Sequence, residues 1–204
     1  MNNFDLSAND WDKNNVHTER SEAISQKLKE QVEFKPGMKA MEFGAGTALL
    51  SFLLRDKFSS ITLIDNSREM IRVCNEKIAQ TQSSHIKAIQ IDLETEDIKE
   101  KFDIIYSQMA FHHIGDVNKM IYKFSEMLED KGILAIADLF TEDGSFHGEG
   151  FTGHMGFDPE WLATVMLNSC FKDIGYSTCF IQKKIDIEGN KKEYPVFLII
   201  ARRP

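Results

Sequence analysis

The chain has 204 residues, enough for one folded unit with a single sizeable core. Hydrophobic residues make up 42% and charged residues 27%, an ordinary globular balance. The formal net charge of -8 counts against a protein that grips nucleic acid through its phosphates, which needs a basic face.

The best candidates for a local basic patch are the pairs Lys183-Lys184 and Lys191-Lys192, which flank an expected turn and read as a solvated hairpin tip. Cys74, Cys170 and Cys179 form no C-x-x-C pair and cannot all be matched in disulfides, so reduced and mostly buried thiols are expected. No basic-then-apolar leader opens the chain, and no apolar run approaches the ~18 residues of a membrane span. A cytoplasmic protein without a membrane span is the expectation.

Residues 1–15 are polar with Phe4, Leu6 and Trp11 interspersed, either frayed or a flap that orders over something. Ile24, Leu28 and Val32 recur at four-residue steps and predict a helix over Val16 to Val32. Pro36-Gly37 breaks the pattern, and KAMEF follows as a short apolar strand. Thr47 to Phe58 reads as a helix with Leu49, Leu50, Leu53 and Leu54 on one face. ITLID is a strand, and Ser67 caps a helix carrying Met70, Cys74 and Ile78. IKAIQID and FDIIYS are further strands. Asp116 opens a helix with Val117, Met120, Ile121, Phe124 and Leu128 on one stripe, and GILAIADLF is the next strand.

These strands are apolar on successive residues, as in a parallel sheet covered by helices on both faces. Their alternation with helices predicts right-handed βαβ units. Residues 140–157 hold five of the twelve glycines and form a long loop in which Phe146, Phe151 and Phe157 could close an apolar pocket. Asp158-Pro159 starts a helix with Trp161, Leu162, Val165 and Met166 inward. Ile174 to Ile187 and Tyr194 to Ala201, joined at Gly189-Asn190, read as an antiparallel hairpin. The expected organisation is one domain: an N-terminal flap and helix (1–35), a cofactor-binding core (36–140), and a substrate-facing loop, helix and hairpin (141–204).

In open α/β sheets a ligand sits beyond the carboxyl ends of the strands, beside the first one. Gly44 permits a tight turn there, and Gly46 lets the backbone approach a ligand without a Cβ in the way. A dinucleotide fingerprint would need a third glycine at position 49, which is Leu49, and a carboxylate at Glu42 would repel a diphosphate. A nucleoside bearing positive charge and no phosphate fits these residues better.

The run Glu42-Phe43-Gly44-Ala45-Gly46-Thr47-Ala48 strongly resembles the first motif of the class I S-adenosylmethionine-dependent methyltransferases. The family most often has a third glycine where this chain has Ala48, leaving slightly less room at the methionine moiety. The resemblance extends over about residues 36–140. It implies that Asp65 pairs with the ribose hydroxyls beside Asn66, and that Met70 packs on the adenosine. It implies further that Asp92 accepts the adenine amino group with Leu93 beside it, and that Ser107, Gln108 and Met109 line the cavity. The implied fold is α/β and Rossmann-like, a doubly wound seven-stranded sheet with the last strand antiparallel between the fifth and sixth. The implied cofactor is S-adenosylmethionine and the implied acceptor a small molecule; the chain broadly resembles the branch that includes quinone-ring methyltransferases, with no segment specific to that substrate.

Methyl transfer from a sulfonium is an in-line displacement, so alignment and exclusion of water are the main devices. A base is needed only if the nucleophile carries a proton. His113, in "FHHI", is the first candidate; His147 and His154 are others, and His112 or His113 could instead cap the next helix. Asp138 is a second possible base or substrate contact. The spacing of His147 and His154 is not a metal-ligand spacing, and no metal is expected. The rival readings are a nicotinamide-dependent oxidoreductase, a protein or nucleic-acid methyltransferase, and a non-catalytic S-adenosylmethionine-binding protein. Oligomeric state is not legible.

Overall fold

A computed structural model describes residues 3–185 and 190–204, with Asn3 described by its backbone alone. The expected turn at Gly189-Asn190 falls partly outside the described residues. The frame is a seven-stranded sheet in the order β3-β2-β1-β4-β5-β7-β6. Its strands are β1 (Lys39–Phe43), β2 (Ser60–Asp65), β3 (Ile86–Gln90), β4 (Phe102–Gln108), β5 (Leu128–Leu139), β6 (Lys172–Ile185) and β7 (Lys191–Arg202). The first five pair in parallel, and β7 runs antiparallel between β5 and β6.

Successive side chains of a strand point to opposite faces, and the central strands divide accordingly. Ile133, Ala135 and Ala137 of β5 join one apolar cluster, Leu134 and Ile136 the other. Helices α2 (Asn15–Gln31), α3 (Leu49–Leu54) and α4 (Arg68–Thr81) cover the first face with Ile24, Leu28, Leu50, Leu54 and Cys74. Helices α5 (Val117–Met127) and α6 (Pro159–Asn168) cover the second with Val117, Met120, Phe124, Leu162 and Met166. Each such large side chain contributes about 1.5–3 kcal/mol by leaving water. The edge strand β3 departs from the expected two-sided burial. Only its Ile86 is fully buried, because no strand pairs on its far side.

The caps at Ser67 and Asp158 are as expected, and Asp116, expected only as a helix start, caps as well. Ser67, Asp116 and Asp158 accept from the backbone N–H of Met70, Lys119 and Glu160, satisfying donors that the first helical turn leaves free. Of the two readings for the N-terminal segment, the described residues 3–15 follow the ordered one: α1 (Asn3–Ser7) leads into a 3-10 helix over Ala8–Lys13.

Several side chains sit differently from expectation. Helix α3 begins at Leu49 because Ala48 takes the left-handed conformation (φ +62°), and Leu53 turns out to solvent while Leu50 and Leu54 are buried. Trp161 is also exposed, at the start of α6, and stacks on Phe157. Cys170 is exposed; Cys74 is buried and Cys179 half-buried. Of the two lysine pairs, Lys184 is not a solvated tip residue, because its ammonium lies 3.9 Å from the Phe146 ring centroid.

Candidate cofactor and acceptor site

The carboxyl ends of β1, β2 and β4 open into one cavity, with Phe4 and Trp11 of the N-terminal segment among its walls. The loop after β1 is fixed on several sides. Ala45 N donates to Ile64 O at 2.9 Å, Gly46 N donates to Asp65 Oδ2 at 2.8 Å, and Lys77 Nζ donates to Thr47 O at 2.7 Å. Gly44 and Gly46 both have positive φ, 63° and 55°. A Cβ at Gly44 would overlap that of Ala110, whereas one at Gly46 would point into the cavity, with Trp11 Nε1 nearest at 3.9 Å. Only glycine offers a bare peptide surface to a ligand there.

Asp65 holds the loop and the next helix together. Its Oδ1 accepts from Ser67 N at 2.8 Å while Oδ2 takes Gly46 N. Burial raises its pKa above the usual carboxylate range, and the two backbone donors pull it back. Asp92 lies two residues beyond β3, its Oδ1 accepting from Glu94 N at 3.0 Å. Gln108 is held by Ser21 Oγ at 3.1 Å, which ties helix α2 to the end of β4.

Of the residues expected at the cofactor, Gly44, Ala45, Gly46, Asp65, Asn66, Met70, Asp92, Leu93 and Gln108 line this cavity, as does Met109. Glu42 and Ser107 do not. Glu42 is fully buried under the loop, where its Oε2 accepts from Ser51 Oγ at 2.5 Å and Ser51 N at 3.2 Å. Burial pushes its pKa up to about 8, so the carboxyl is mostly protonated at pH 7. An exposed anion guarding the loop is therefore not what this conformation presents. Ala48 also differs from expectation: its methyl group is buried in the core and takes no room from the cavity.

Sequence reasoning missed Arg20. This residue of α2 lines the cavity although it is only 5% exposed. Its Nη1 donates to Gln182 Oε1 at 2.6 Å, and its Nε has no partner among the described residues. Burial lowers its pKa to about 10, which leaves it cationic at neutral pH. The only available signal was a charged residue on the buried face of a helix, one turn before Ile24.

The histidines part company. His113 lines the cavity, edge-on to Phe4 at 5.1 Å. His147 lies beside it, ring centroids 5.5 Å apart, and is stacked by Phe151 at 3.9 Å. Desolvation first, and neighbouring His112 second, hold both down to about 4 although each keeps an open edge. Both are neutral at physiological pH. His154 is elsewhere, its Nε2 bonded to Ile114 O at 3.0 Å. His112 is buried and bonded through Nδ1 to Asp138 Oδ1 at 2.6 Å. Of the loop phenylalanines, Phe157 belongs to the core beside Phe111, and Phe146 packs on Tyr194.

Strand order, glycine loop and cavity define a Rossmann-like protein that holds its ligand at the carboxyl edge of the sheet. A profile of the family described as "Methyltransferase domain" matches residues 34–177, and the chain belongs to the class I S-adenosylmethionine-dependent methyltransferases. An uncharacterized methyltransferase of Schizosaccharomyces pombe is 30% identical over 152 residues, 66% of this chain and 54% of that protein. The chain spans about half the length of this relative and of an uncharacterized methyltransferase of Staphylococcus carnosus that it also matches. A putative methyltransferase of Haloferax volcanii, solved with the Trm112 methyltransferase activator, superposes with a TM-score of 0.77 at 14% identity, covering 100% of this chain and 99% of that one. The phosphoethanolamine N-methyltransferase 2 of Haemonchus contortus, solved with S-adenosyl-L-methionine, gives 0.70 at 15%, covering 87% and 51%. These two likenesses concern the fold. Among the described residues no helix is long and apolar enough to cross a membrane.

Proposed function

We propose that this chain binds S-adenosylmethionine in the cavity beside Gly44–Gly46 and transfers its methyl group to a small-molecule acceptor. The observation that carries the reading is that one cavity is lined both by the carboxylates Asp65 and Asp92 and by the buried guanidinium of Arg20. The carboxylates suit hydroxyl and amino donors, and Arg20, with its Nε unpartnered among the described residues, suits a carboxylate. A ligand with a ribose, an adenine amino group and an amino-acid carboxylate uses all three. Met70, Leu93 and Ile114 supply apolar walls for a flat base.

When bound, the cofactor supplies a methyl group activated on a sulfonium. What this chain's residues do is hold, orient and exclude water. Gly46 keeps the loop backbone bare, and Asp65 fixes the loop at its N–H. Phe4 and Trp11 roof the cavity, which keeps water from the reacting atoms. His113 lines the cavity and is neutral, which makes it the group to take a proton from an acceptor that must lose one. Positioning of this kind is worth on the order of 7–11 kcal/mol in favourable cases. The N-terminal segment closes the cofactor side, and the 141–157 loop faces the acceptor.

Thermal melts with S-adenosylhomocysteine, S-adenosylmethionine and NAD test the binding half. At about a hundred times its dissociation constant a ligand stabilises by roughly 2.7 kcal/mol, or roughly 5–10 °C for a chain of this size. The first two ligands are expected to shift the melt and NAD is not; a shift with NAD alone would overturn the reading. Incubation with methyl-labelled cofactor and a metabolite mixture tests the transfer half, with label expected in a small organic product.

A further inference from the structure

Three imidazoles converge beside the cavity from two distant stretches of sequence. His112 and His113 come from the 3-10 turn after β4, and His147 from the loop after β5. One ring nitrogen of each lies within 4.8 Å of those of the other two. We propose that His112, His113 and His147 form a binding site for a divalent transition-metal ion, zinc foremost, with Asp138 as the carboxylate that orients His112.

The orientation of His112 carries the argument. Its Nδ1 is taken by Asp138 Oδ1 at 2.6 Å, and the same carboxylate accepts His112 N through Oδ2 at 3.0 Å and Leu139 N through Oδ1 at 2.7 Å. A carboxylate with these donors fixes the imidazole with its proton on Nδ1. The lone pair is then on Nε2, which is buried without a hydrogen-bond partner among the described residues. Leaving a buried acceptor unused costs about 1–3 kcal/mol, and a metal ion would use it. Carboxylate, imidazole and metal in series is the arrangement that sets the tautomer and raises the basicity of a histidine ligand.

The other two rings complete a neutral, nitrogen-only donor set, which suits zinc, copper, iron or nickel over magnesium or calcium. Three protein ligands leave a fourth position for water or for an acceptor heteroatom. Bonds of 2.0–2.1 Å in a tetrahedral site put the nitrogens roughly 3.4 Å apart. His113 and His147 would close the remaining distance by side-chain rotation, which their open edges permit. Phe151 and Phe4 wall the cluster and restrict its water. Lys184, which acts on His147, opposes a cation, and the Asp138 charge counters it. A pair such as His147 and His154 would not have revealed the site. His154 is committed to Ile114 O, and the true trio is assembled by folding.

The site shares His113 with the methyl-transfer reading, where a bound metal would take the place of the proton-accepting role, but the two fail separately: a failure to bind S-adenosylhomocysteine would leave metal uptake untouched. The full chain, stripped with a chelator, is titrated with zinc chloride by calorimetry and with cobalt chloride by visible absorption. One equivalent is expected to bind at micromolar affinity or tighter, with the intense cobalt bands of a four-coordinate centre. His147→Asn, on the exposed loop, and His113→Asn should each weaken uptake at least about tenfold. Asp138→Asn should weaken it about 10–100-fold, with folding checked by circular dichroism. His154→Asn should leave the affinity unchanged. No saturable uptake, or uptake that His147→Asn does not alter, would overturn the proposal.

Discussion

The Ser51 hydroxyl donates to Glu42 Oε2 at 2.5 Å beneath the glycine loop, and Glu42 Oε1 has no partner among the described residues. A lone hydroxyl and one backbone N–H do not offset the loss of water around a fully buried carboxylate, which is why its pKa rises from 4.5 to about 8.

That shift has a sign. Below pH 4.5 Glu42 is protonated in both folded and unfolded chains and contributes no pH dependence. Between pH 4.5 and about 8 the unfolded chain releases the proton while the folded one keeps it, so stability falls as pH rises. Glu42→Gln removes the effect. The variant is expected to gain stability over the parent as pH is raised, by on the order of 4 kcal/mol at pH 8 relative to pH 4.5. Urea melts of both proteins at the two values check it. A constant difference would mean that Glu42 is ionised in the folded chain.

Asp65 combines a structural and a binding duty, which two substitutions separate. Asp65→Ala strips the acceptor from Gly46 N and Ser67 N and should cost about 2 kcal/mol or more. Asp65→Asn keeps one acceptor oxygen and should cost less. Both should weaken S-adenosylhomocysteine at least about tenfold when measured by calorimetry well below the melting point. An unchanged affinity in Asp65→Asn would remove the carboxylate from the ligand.

Much of this architecture was legible because parallel strands buried on both faces leave unbroken apolar runs such as KAMEF and GILAIADLF, and because Ser67, Asp116 and Asp158 mark helix starts by a local mechanism. What local pattern does not encode is direction in three dimensions. Glu42 and Ser51 are nine residues apart and meet only because α3 folds back along β1. His112 and His147 are joined by the return of a long loop. Trp161 reads as a core residue from its apolar character, yet it begins the exposed side of α6.

Arg20 provides a test of the cofactor's orientation. Arg20→Met keeps an unbranched apolar stem that reaches about as far as Nε and removes the guanidinium, so Gln182 loses a partner and only the space of the planar head is vacated. Its affinity for S-adenosylhomocysteine should fall about tenfold or more. Affinity for adenosine, which has no carboxylate, should change less than about twofold. Equal losses for the two ligands would mean that Arg20 shapes the cavity without meeting a carboxylate.

A ligand entering beneath Phe4 and Trp11 would have to displace the N-terminal segment, whose contacts show what resists. Asp12 joins Thr47 Oγ1 at 2.5 Å and also pairs with Lys77, while Ser67 Oγ donates to Asp5 at 2.7 Å. These bonds link the segment to the glycine loop and to α4, the elements that would hold the cofactor. Asp12→Ala should free the segment without disturbing the core, because Asp12 is itself partly exposed. Trypsin is then expected to cut after the exposed Lys13 several-fold faster than in the parent chain. S-adenosylhomocysteine, by filling the space under Phe4 and Trp11, should slow that cut in the parent and less so in the variant. The dissociation rate of the ligand should rise in Asp12→Ala by roughly the factor that cleavage does, since both need the same opening. Cleavage and release that change independently would show that the ligand leaves by another route.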